Sequence, residues 1–132
     1  MNKFKILNDG LIINKISKTY GNKEVIRDIS ISIKRNEIVG LLGPNGAGKT
    51  TTFYMIVGLV KPESGSIILD KTEITNFPIY LRGKLGISYL PQEASIFRGL
   101  TVEDNIKAIL EILEEDKQKV EEEIDHLLKE FD

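Results

Sequence analysis

The sequence predicts an α/β fold in which an antiparallel β region precedes a strand–loop–helix unit and two amphipathic helices follow. Three observations support this prediction. Residues 24–34, EVIRDISISIK, alternate apolar and polar side chains, as a half-buried antiparallel strand does. Residues 37–42, EIVGLL, are almost continuously apolar and lead directly into a glycine-rich loop. Residues 101–131 carry apolar side chains at helical spacing.

The size and composition are those of one folded domain. The chain has 132 residues, of which 41% are hydrophobic and 29% are charged. It has no cysteine, which excludes disulfides and thiolate metal sites and favours an intracellular protein. The sequence contains no apolar run of the roughly 20 residues that cross a bilayer, and its first ten residues lack a signal-peptide pattern. We therefore expect no direct membrane insertion.

The charge is divided unevenly along the chain. Residues 1–110 carry 15 basic and 10 acidic side chains, whereas residues 111–132 carry 3 basic and 10 acidic ones. The basic excess is mild and forms no stripe, so we expect no nucleic-acid partner. The acidic excess of the last segment predicts a solvated helix face.

The first elements follow in order. LIINKI and EVIRDISISIK predict two strands, and Tyr20 to Lys23 predict the turn between them. EIVGLL predicts a strand buried on both faces. After the loop of residues 43–48, KTTTFYMIVGLV predicts a helix that begins at Lys49 and ends near Gly58.

The remaining elements are shorter. SGSIILD predicts a strand, PIYLRGKL a helix with Pro78 at its first position, and GISYL a short buried strand. Thr101 and Asp104 resemble a capping box. His126 lies off the apolar stripe and is predicted to be a surface residue, not a ligand or base. The two predicted apolar stripes are Val102, Ile106, Ile109, Leu110 and Leu113, and Val120, Ile124, Leu127, Leu128 and Phe131.

The loop GPNGAGKT, residues 43–50, fits the phosphate-loop pattern G-x-x-x-x-G-K-[ST]. Glycines allow backbone N–H groups to turn toward phosphate oxygens, and the helix that follows directs its positive dipole end at the same anion. Lys49 is expected to reach the β- and γ-phosphates, Thr50 to offer a hydroxyl to Mg²⁺, and Thr51 to add a donor. The sequence therefore predicts a P-loop NTPase core that binds a nucleoside triphosphate with Mg²⁺. GTPases, kinases and motor ATPases share this loop, so the motif alone does not identify the nucleotide, and the ATP prediction comes from the resemblance described next.

With GPNGAGKTTT, the chain resembles the ATP-binding subunit of an ABC transporter. Two further residues match that family's pattern. Tyr20 corresponds to the aromatic residue that stacks on adenine. Gln92, in SYLPQEASIF, corresponds to the glutamine that contacts Mg²⁺ and the attacking water and that senses the membrane partner. The resemblance implies catalytic roles for Lys49 and Gln92 and Mg²⁺ contacts from Thr50 and Gln92. The implied nucleotide-binding residues are Tyr20, Asn45, Gly46, Ala47, Gly48, Lys49, Thr50 and Thr51.

Within that family, GKTTTFYMIVGLVKPESGSIILD and YLPQEASIFRGLTVEDNI are most similar to the ATPase of lipopolysaccharide export. In that branch, the segment after the glutamine helps to form a groove for a coupling helix of the transmembrane subunits. Phe97 and Arg98 are the candidate contacts, since aromatic residues and arginine are enriched at interfaces. Branched-chain amino-acid importers have similar loops and remain an alternative.

The resemblance covers essentially the whole chain but only part of the family's domain. The family's signature segment, its acidic Walker B strand and its switch histidine have no counterpart in the sequence, and His126 does not match the last. We therefore expect one incomplete ABC ATP-binding domain, with residues 1–94 as β subdomain and P-loop core and residues 95–132 as the start of a helical subdomain. A truncated chain of this kind should have an incomplete core.

The expected function is ATP binding within a transport ATPase that powers lipopolysaccharide export. The intact protein would hydrolyse ATP as a homodimer on the cytoplasmic face of the inner membrane, while this chain alone would bind nucleotide at most. A non-catalytic nucleotide-binding fragment is the alternative of a different class. The long coiled-coil insertions typical of DNA-repair members of the family are absent from the sequence.

Overall fold

A four-stranded antiparallel sheet organises the first of two units in the computed structural model, which describes residues 10–131. The chain divides into these units between Tyr89 and Leu90, and each unit is described by itself. The sheet order is β2-β1-β3-β4, so β1 pairs with a neighbour on each side. The predicted antiparallel β region is thereby confirmed. Its strands are β1 (Leu11–Tyr20), β2 (Lys23–Ile33), β3 (Ser64–Leu69) and β4 (Thr72–Glu73).

Isoleucines supply most of the core of this unit. On β2, the predicted alternation is observed, with Ile29, Ile31 and Ile33 partly buried between exposed serines. Burying an apolar side chain completely contributes about 1.5–3 kcal/mol, so six such residues outweigh any single surface interaction. The buried cluster consists of Ile13, Ile16, Ile26, Met55, Ile67 and Ile74.

The helix α1 (Lys49–Val57) joins this core through Met55. It begins at Lys49, as predicted, and ends where Gly58 adopts a φ of 90°. The N–H groups of Gly58, Leu59 and Val60 donate to the carbonyl of Tyr54 and close its last turn. The short helix α2 (Ile79–Lys84) has Pro78 as its N-cap, so the helix begins one residue after the predicted first position, Pro78.

The guanidinium of Arg82 joins α1, α2 and the chain between them. It is buried, with 2% of its surface exposed, and donates four hydrogen bonds of 2.7–2.9 Å to main-chain carbonyls. Two of these carbonyls belong to the last turn of α1, where the helix leaves acceptors without partners. Desolvation lowers the pKa of Arg82 from its usual range. The four acceptors are the carbonyls of Met55, Ile56, Thr75 and Phe77.

Two predicted strands are wrong. Residues 37–42, EIVGLL, have no regular secondary structure, and Ile38 is fully exposed rather than buried on both faces. Residues 86–90, GISYL, also form no strand, although the ring of Tyr89 meets that of Tyr54 edge-on with centroids 6.1 Å apart. A strand requires hydrogen-bonded neighbours, and no segment within residues 10–131 pairs with either of these.

Two amphipathic helices form the regular part of the second unit. They are α3 (Val102–Leu113) and α4 (Lys117–Glu130), and they pack against each other. Val120 and Ile124 are buried, whereas Ile109 and Leu113 of the predicted stripe stay exposed. No helix in the described part of the chain has the length and apolar character needed to span a bilayer.

Thr101 caps α3, in agreement with the sequence prediction. Its Oγ1 accepts the N–H of Asp104 at 3.1 Å and donates to the Asp104 carboxylate at 2.7 Å. In a full capping box, the side chain at the position of Asp104 accepts the backbone N–H of the cap residue. Here the Asp104 carboxylate accepts the hydroxyl of Thr101 instead. Because α3 has no fully buried residue, this cap contributes much of its local stability.

Replacing Arg82 with methionine should lower the free energy of unfolding by about 3 kcal/mol or more, because four buried or partly buried carbonyls lose a charged donor. Equilibrium urea unfolding followed by circular dichroism measures this change. Arg27→Met is the matched control, since the Arg27 side chain is 79% exposed and its Nε lies 3.7 Å from Oε1 of Glu24 on the surface. An Arg82→Met midpoint equal to that of Arg27→Met would contradict the structural role of Arg82.

Replacing Thr101 with alanine should destabilise α3 by about 1 kcal/mol, because the N–H of Asp104 loses its acceptor. Amide hydrogen exchange of residues 102–113 should then become faster. Thr101→Ser keeps the hydroxyl and should leave exchange near the original rate. Equal exchange in the alanine and serine variants would show that the cap contributes nothing.

Candidate functional site

The loop of residues 43–48 has the conformation that its glycines permit. Gly46 and Gly48 have φ values of 82° and 85°, in the left-handed region that side chains disfavour. A single backbone bond, from the N–H of Ala47 to the carbonyl of Pro44 at 3.2 Å, closes the loop. The loop is therefore curved and not extended, as a phosphate-binding loop requires.

The backbone N–H groups around the start of α1 lack acceptors within residues 10–131. Thr52 is the first residue of this region whose N–H bonds back to the loop, to the carbonyl of Gly48 at 2.9 Å. Gly48 is the N-cap and provides no side chain to accept the preceding donors, and the first turn contains no acidic residue. The groups without acceptors are those of Gly46, Gly48, Lys49, Thr50 and Thr51.

Lys49 places its ammonium against the same loop. Its Nζ donates to the carbonyl of Gly43 at 2.6 Å and to that of Pro44 at 2.8 Å. An ammonium has three donors, so one remains for a further acceptor. The positive end of the α1 dipole and the Lys49 charge act in the same direction, and together they favour an anion beside the loop.

Gly48 fixes the loop onto the sheet. A Cβ at this position would lie 2.3 Å from Cδ1 of Ile26 and 2.8 Å from the carbonyl oxygen of Val25, both on β2. Only glycine combines this close approach with the positive φ. The antiparallel sheet thus positions the loop through the contact at Gly48, and Met55 packs α1 against the core.

The side chains expected to assist phosphate and metal binding lie at the helix start. Thr50 is exposed and Thr51 is partly buried, and both follow Lys49 in the first turn of α1. Asn45 and Ala47 are exposed on the loop. These positions agree with the expected roles, which remain predictions.

Tyr20 lies at the end of β1, next to the hairpin turn. Its Cα pairs with that of Lys23, three residues before Ile26, the β2 residue that contacts Gly48. Three strand residues span about 10 Å, so Tyr20 and the loop lie at the same end of the hairpin. The residue is 48% exposed, which leaves surface for a stacking partner.

Gln92, Phe97 and Arg98 belong to the second unit and are all exposed. Asn105 of α3 holds the chain around Phe97, since its Oδ1 accepts the Phe97 N–H at 2.8 Å and its Nδ2 donates to the Phe97 carbonyl at 3.1 Å. The aromatic ring is 62% exposed in this arrangement. Phe97 is thus presented on the surface, and not buried in the core.

Sequence reasoning missed two residues that support the site, Arg82 and Lys18. Both lie in apolar or mixed stretches in which no sequence pattern predicts a buried cation or an ion pair. The one available signal for Arg82 was a cation within the short helix PIYLRGKL, and that signal is weak. The predicted surface position of His126 is confirmed, because its side chain is 70% exposed and lies 4.0 Å from Glu130.

The described residues fit a polyphosphate better than an all-protein metal site. Within residues 10–131, no group of three or more histidine, cysteine, aspartate or glutamate side chains could hold a metal ion. Five N–H groups and one ammonium instead surround the start of α1, and all of them are donors. A site made of donors alone binds an anion, and Mg²⁺ is held at such sites largely by the phosphates themselves.

Comparisons with known proteins agree with this geometry. The family model described as ABC transporter matches residues 26–132. A probable ABC transporter ATP-binding protein of Azorhizobium caulinodans is 60% identical over 116 residues, which cover 88% of this chain and 41% of that protein. The lipopolysaccharide export system ATP-binding protein of Haemophilus influenzae is 51% identical over 122 residues, covering 92% of this chain and 51% of that one.

A solved structure supports the fold alone. The cbiO1 subunit of an ABC transporter complex from Clostridium perfringens aligns with a TM-score of 0.76 and 24% identity, covering 92% of this chain and 50% of that one. The chain spans about half the length of the curated relatives it matches. The predicted fold class, part of a P-loop NTPase core, is confirmed, and the chain belongs to the ABC transporter family of ATP-binding proteins.

Proposed function

We propose that this chain binds Mg²⁺-ATP as part of a transport ATPase, and that ATP hydrolysis by the whole protein powers lipopolysaccharide export. The observation that carries the proposal is the start of α1, where five N–H groups have no acceptor within residues 10–131 and the Lys49 ammonium lies against the same loop. At the start of α3, in contrast, the hydroxyl of Thr101 accepts the N–H of Asp104.

Each residue at the loop has a defined task in this proposal. The N–H groups without acceptors and the ammonium of Lys49 hold the β- and γ-phosphate oxygens and offset the charge that develops during phosphoryl transfer. These N–H groups are those of Gly46, Gly48, Lys49, Thr50 and Thr51. The hydroxyl of Thr50 serves as a metal ligand. The Mg²⁺ held there would supply positive charge that offsets part of the negative charge of the phosphates.

Gln92 is the proposed link between nucleotide chemistry and transport. Its amide oxygen would contact the metal and its amide N–H₂ would orient the attacking water. The exposure of Gln92 leaves both amide atoms accessible for these contacts. The general base would have to come from an acidic residue that the sequence of this chain does not supply in the family's pattern.

The transported substrate follows from similarity, not from the site. The relative from Haemophilus influenzae, at 51% identity, is named for lipopolysaccharide export, which supports that substrate. Another ABC transporter, such as a branched-chain amino-acid importer, is the alternative. The partners would be transmembrane subunits contacting Phe97 and Arg98 and a second ATPase subunit, at the cytoplasmic face of the inner membrane.

A non-catalytic nucleotide-binding role is the second candidate. It is favoured by the absence of sheet partners for residues 37–42 within the described chain, because this segment directly precedes the loop. A loop without a fixed strand behind it can bind phosphate but positions reacting groups poorly. Measuring ATP turnover by the 132-residue chain distinguishes the two, since lysine-dependent hydrolysis would contradict the non-catalytic role.

Replacing Lys49 with alanine should weaken binding of a fluorescent ATP analogue by about tenfold or more, because a charged donor to the phosphates is lost. Fluorescence anisotropy in the presence of Mg²⁺ measures this affinity. Lys61→Ala is the matched control, because Lys61 is an exposed lysine beyond the end of α1. Equal affinities of the Lys49→Ala and Lys61→Ala variants would refute the role of the loop.

Replacing Tyr20 with alanine should weaken ATP binding by about tenfold through the loss of base stacking, whereas Tyr20→Phe should retain it. Inorganic tripolyphosphate lacks a base and should bind the alanine variant as it binds the original chain. Competition against the fluorescent analogue measures both affinities. A loss of tripolyphosphate affinity in Tyr20→Ala would show that the substitution disturbs the loop and not base recognition.

A further inference from the structure

The ammonium of Lys18 lies over the ring of Tyr20. Its Nζ is 5.4 Å from the ring centroid, within the range of a cation–π interaction. The two residues are separated by one position on β1, where the pairing with β2 shifts register between Lys18 and Thr19. One face of the Tyr20 ring is thus occupied from within the protein, while 48% of the residue surface stays exposed.

Glu63 holds Lys18 in this position. Its Oε1 lies 3.5 Å from Nζ of Lys18, and only 18% of the lysine side chain is exposed. The backbone N–H of Glu63 donates to the carbonyl of Ser17 at 3.0 Å, which fastens the glutamate to the same end of β1. The Lys18–Glu63 pair is therefore held by the attraction between its charges and by the backbone hydrogen bond from Glu63 to Ser17.

The electrostatics of Glu63 agree with this arrangement. Desolvation raises the pKa of its carboxyl, but hydrogen bonds from the backbone and hydroxyl of Thr19 and the charge of Lys18 lower it by more. The net pKa shift is downward, so the carboxylate stays ionised near neutral pH. Lys18 consequently keeps a charged partner under the conditions in which ATP would bind.

We propose that Lys18 is a positioning residue for nucleobase recognition, with its Glu63-anchored ammonium holding the Tyr20 ring so that the opposite face meets the adenine of ATP. The inference rests on the proposed nucleotide-binding function. Lys18 is on the side of the ring away from the base and touches no phosphate. Lys18 restricts rotation of the Tyr20 ring before ATP binds, so the ring loses less rotational freedom when it stacks on the base.

The sharpest test compares two ligands that share the phosphates but differ in the base. In competition against a fluorescent ATP analogue, Lys18→Met should weaken ATP binding about threefold and leave tripolyphosphate binding unchanged. Lys18→Arg keeps a cation able to stack on the ring and should restore ATP affinity. Glu63→Gln should produce a smaller loss in the same direction, and Lys61→Met is the exposed-lysine control.

A second measurement is independent of nucleotide. The aromatic proton resonances of Tyr20 in the ligand-free chain should shift in Lys18→Met and return toward their original values in Lys18→Arg. Unchanged Tyr20 resonances, an unchanged ATP affinity, or an equal loss for ATP and tripolyphosphate would each overturn the inference. If the original chain bound neither ligand, the proposed function itself would fail and this inference with it, an outcome distinct from a defect confined to Lys18→Met.

Discussion

The buried guanidinium of Arg82 is the interaction on which the geometry of the first unit depends. Its four hydrogen bonds tie the last turn of α1 to the chain that enters α2. Gly58 leaves room for it, since a Cβ there would lie 2.9 Å from Nε of Arg82. Because these bonds fix the C-terminal end of α1, they also help to hold its first turn beside the loop. Both ends of the helix are therefore set by contacts that need a particular residue.

At the other end of α1, the loop rests on the sheet through a glycine. Gly48 approaches Ile26 more closely than any side chain would allow, and Ile26 belongs to the buried cluster of isoleucines. The hydrophobic core thus reaches the phosphate loop directly. The same β2 strand pairs with the end of β1 that carries Tyr20, so one hairpin positions both the proposed phosphate site and the proposed base site.

The starts of α1 and α3 differ in how the protein compensates their N-terminal donors and dipole. At α3, the hydroxyl of Thr101 accepts the N–H of Asp104, and the acidic residues Glu103 and Asp104 complement the dipole. At α1, a glycine cap, no acidic residue and a lysine leave the donors and the positive charge uncompensated by the protein. The donors that folding leaves without acceptors are those that an anion would use.

The sequence by itself determined the elements whose signals are local. Alternating isoleucines fixed β2, the glycine–lysine–threonine pattern fixed the loop and the start of α1, and Thr101 fixed the start of α3. The apolar run of residues 37–42 was misleading, because hydrophobicity records a tendency to be buried while a strand also needs a hydrogen-bonded neighbour. The burial of Arg82 and the placement of Lys18 were decided by tertiary structure. Arg82 needs the carbonyls of Met55 and Ile56, and Lys18 needs Glu63, and no local pattern specifies these partners distant in sequence.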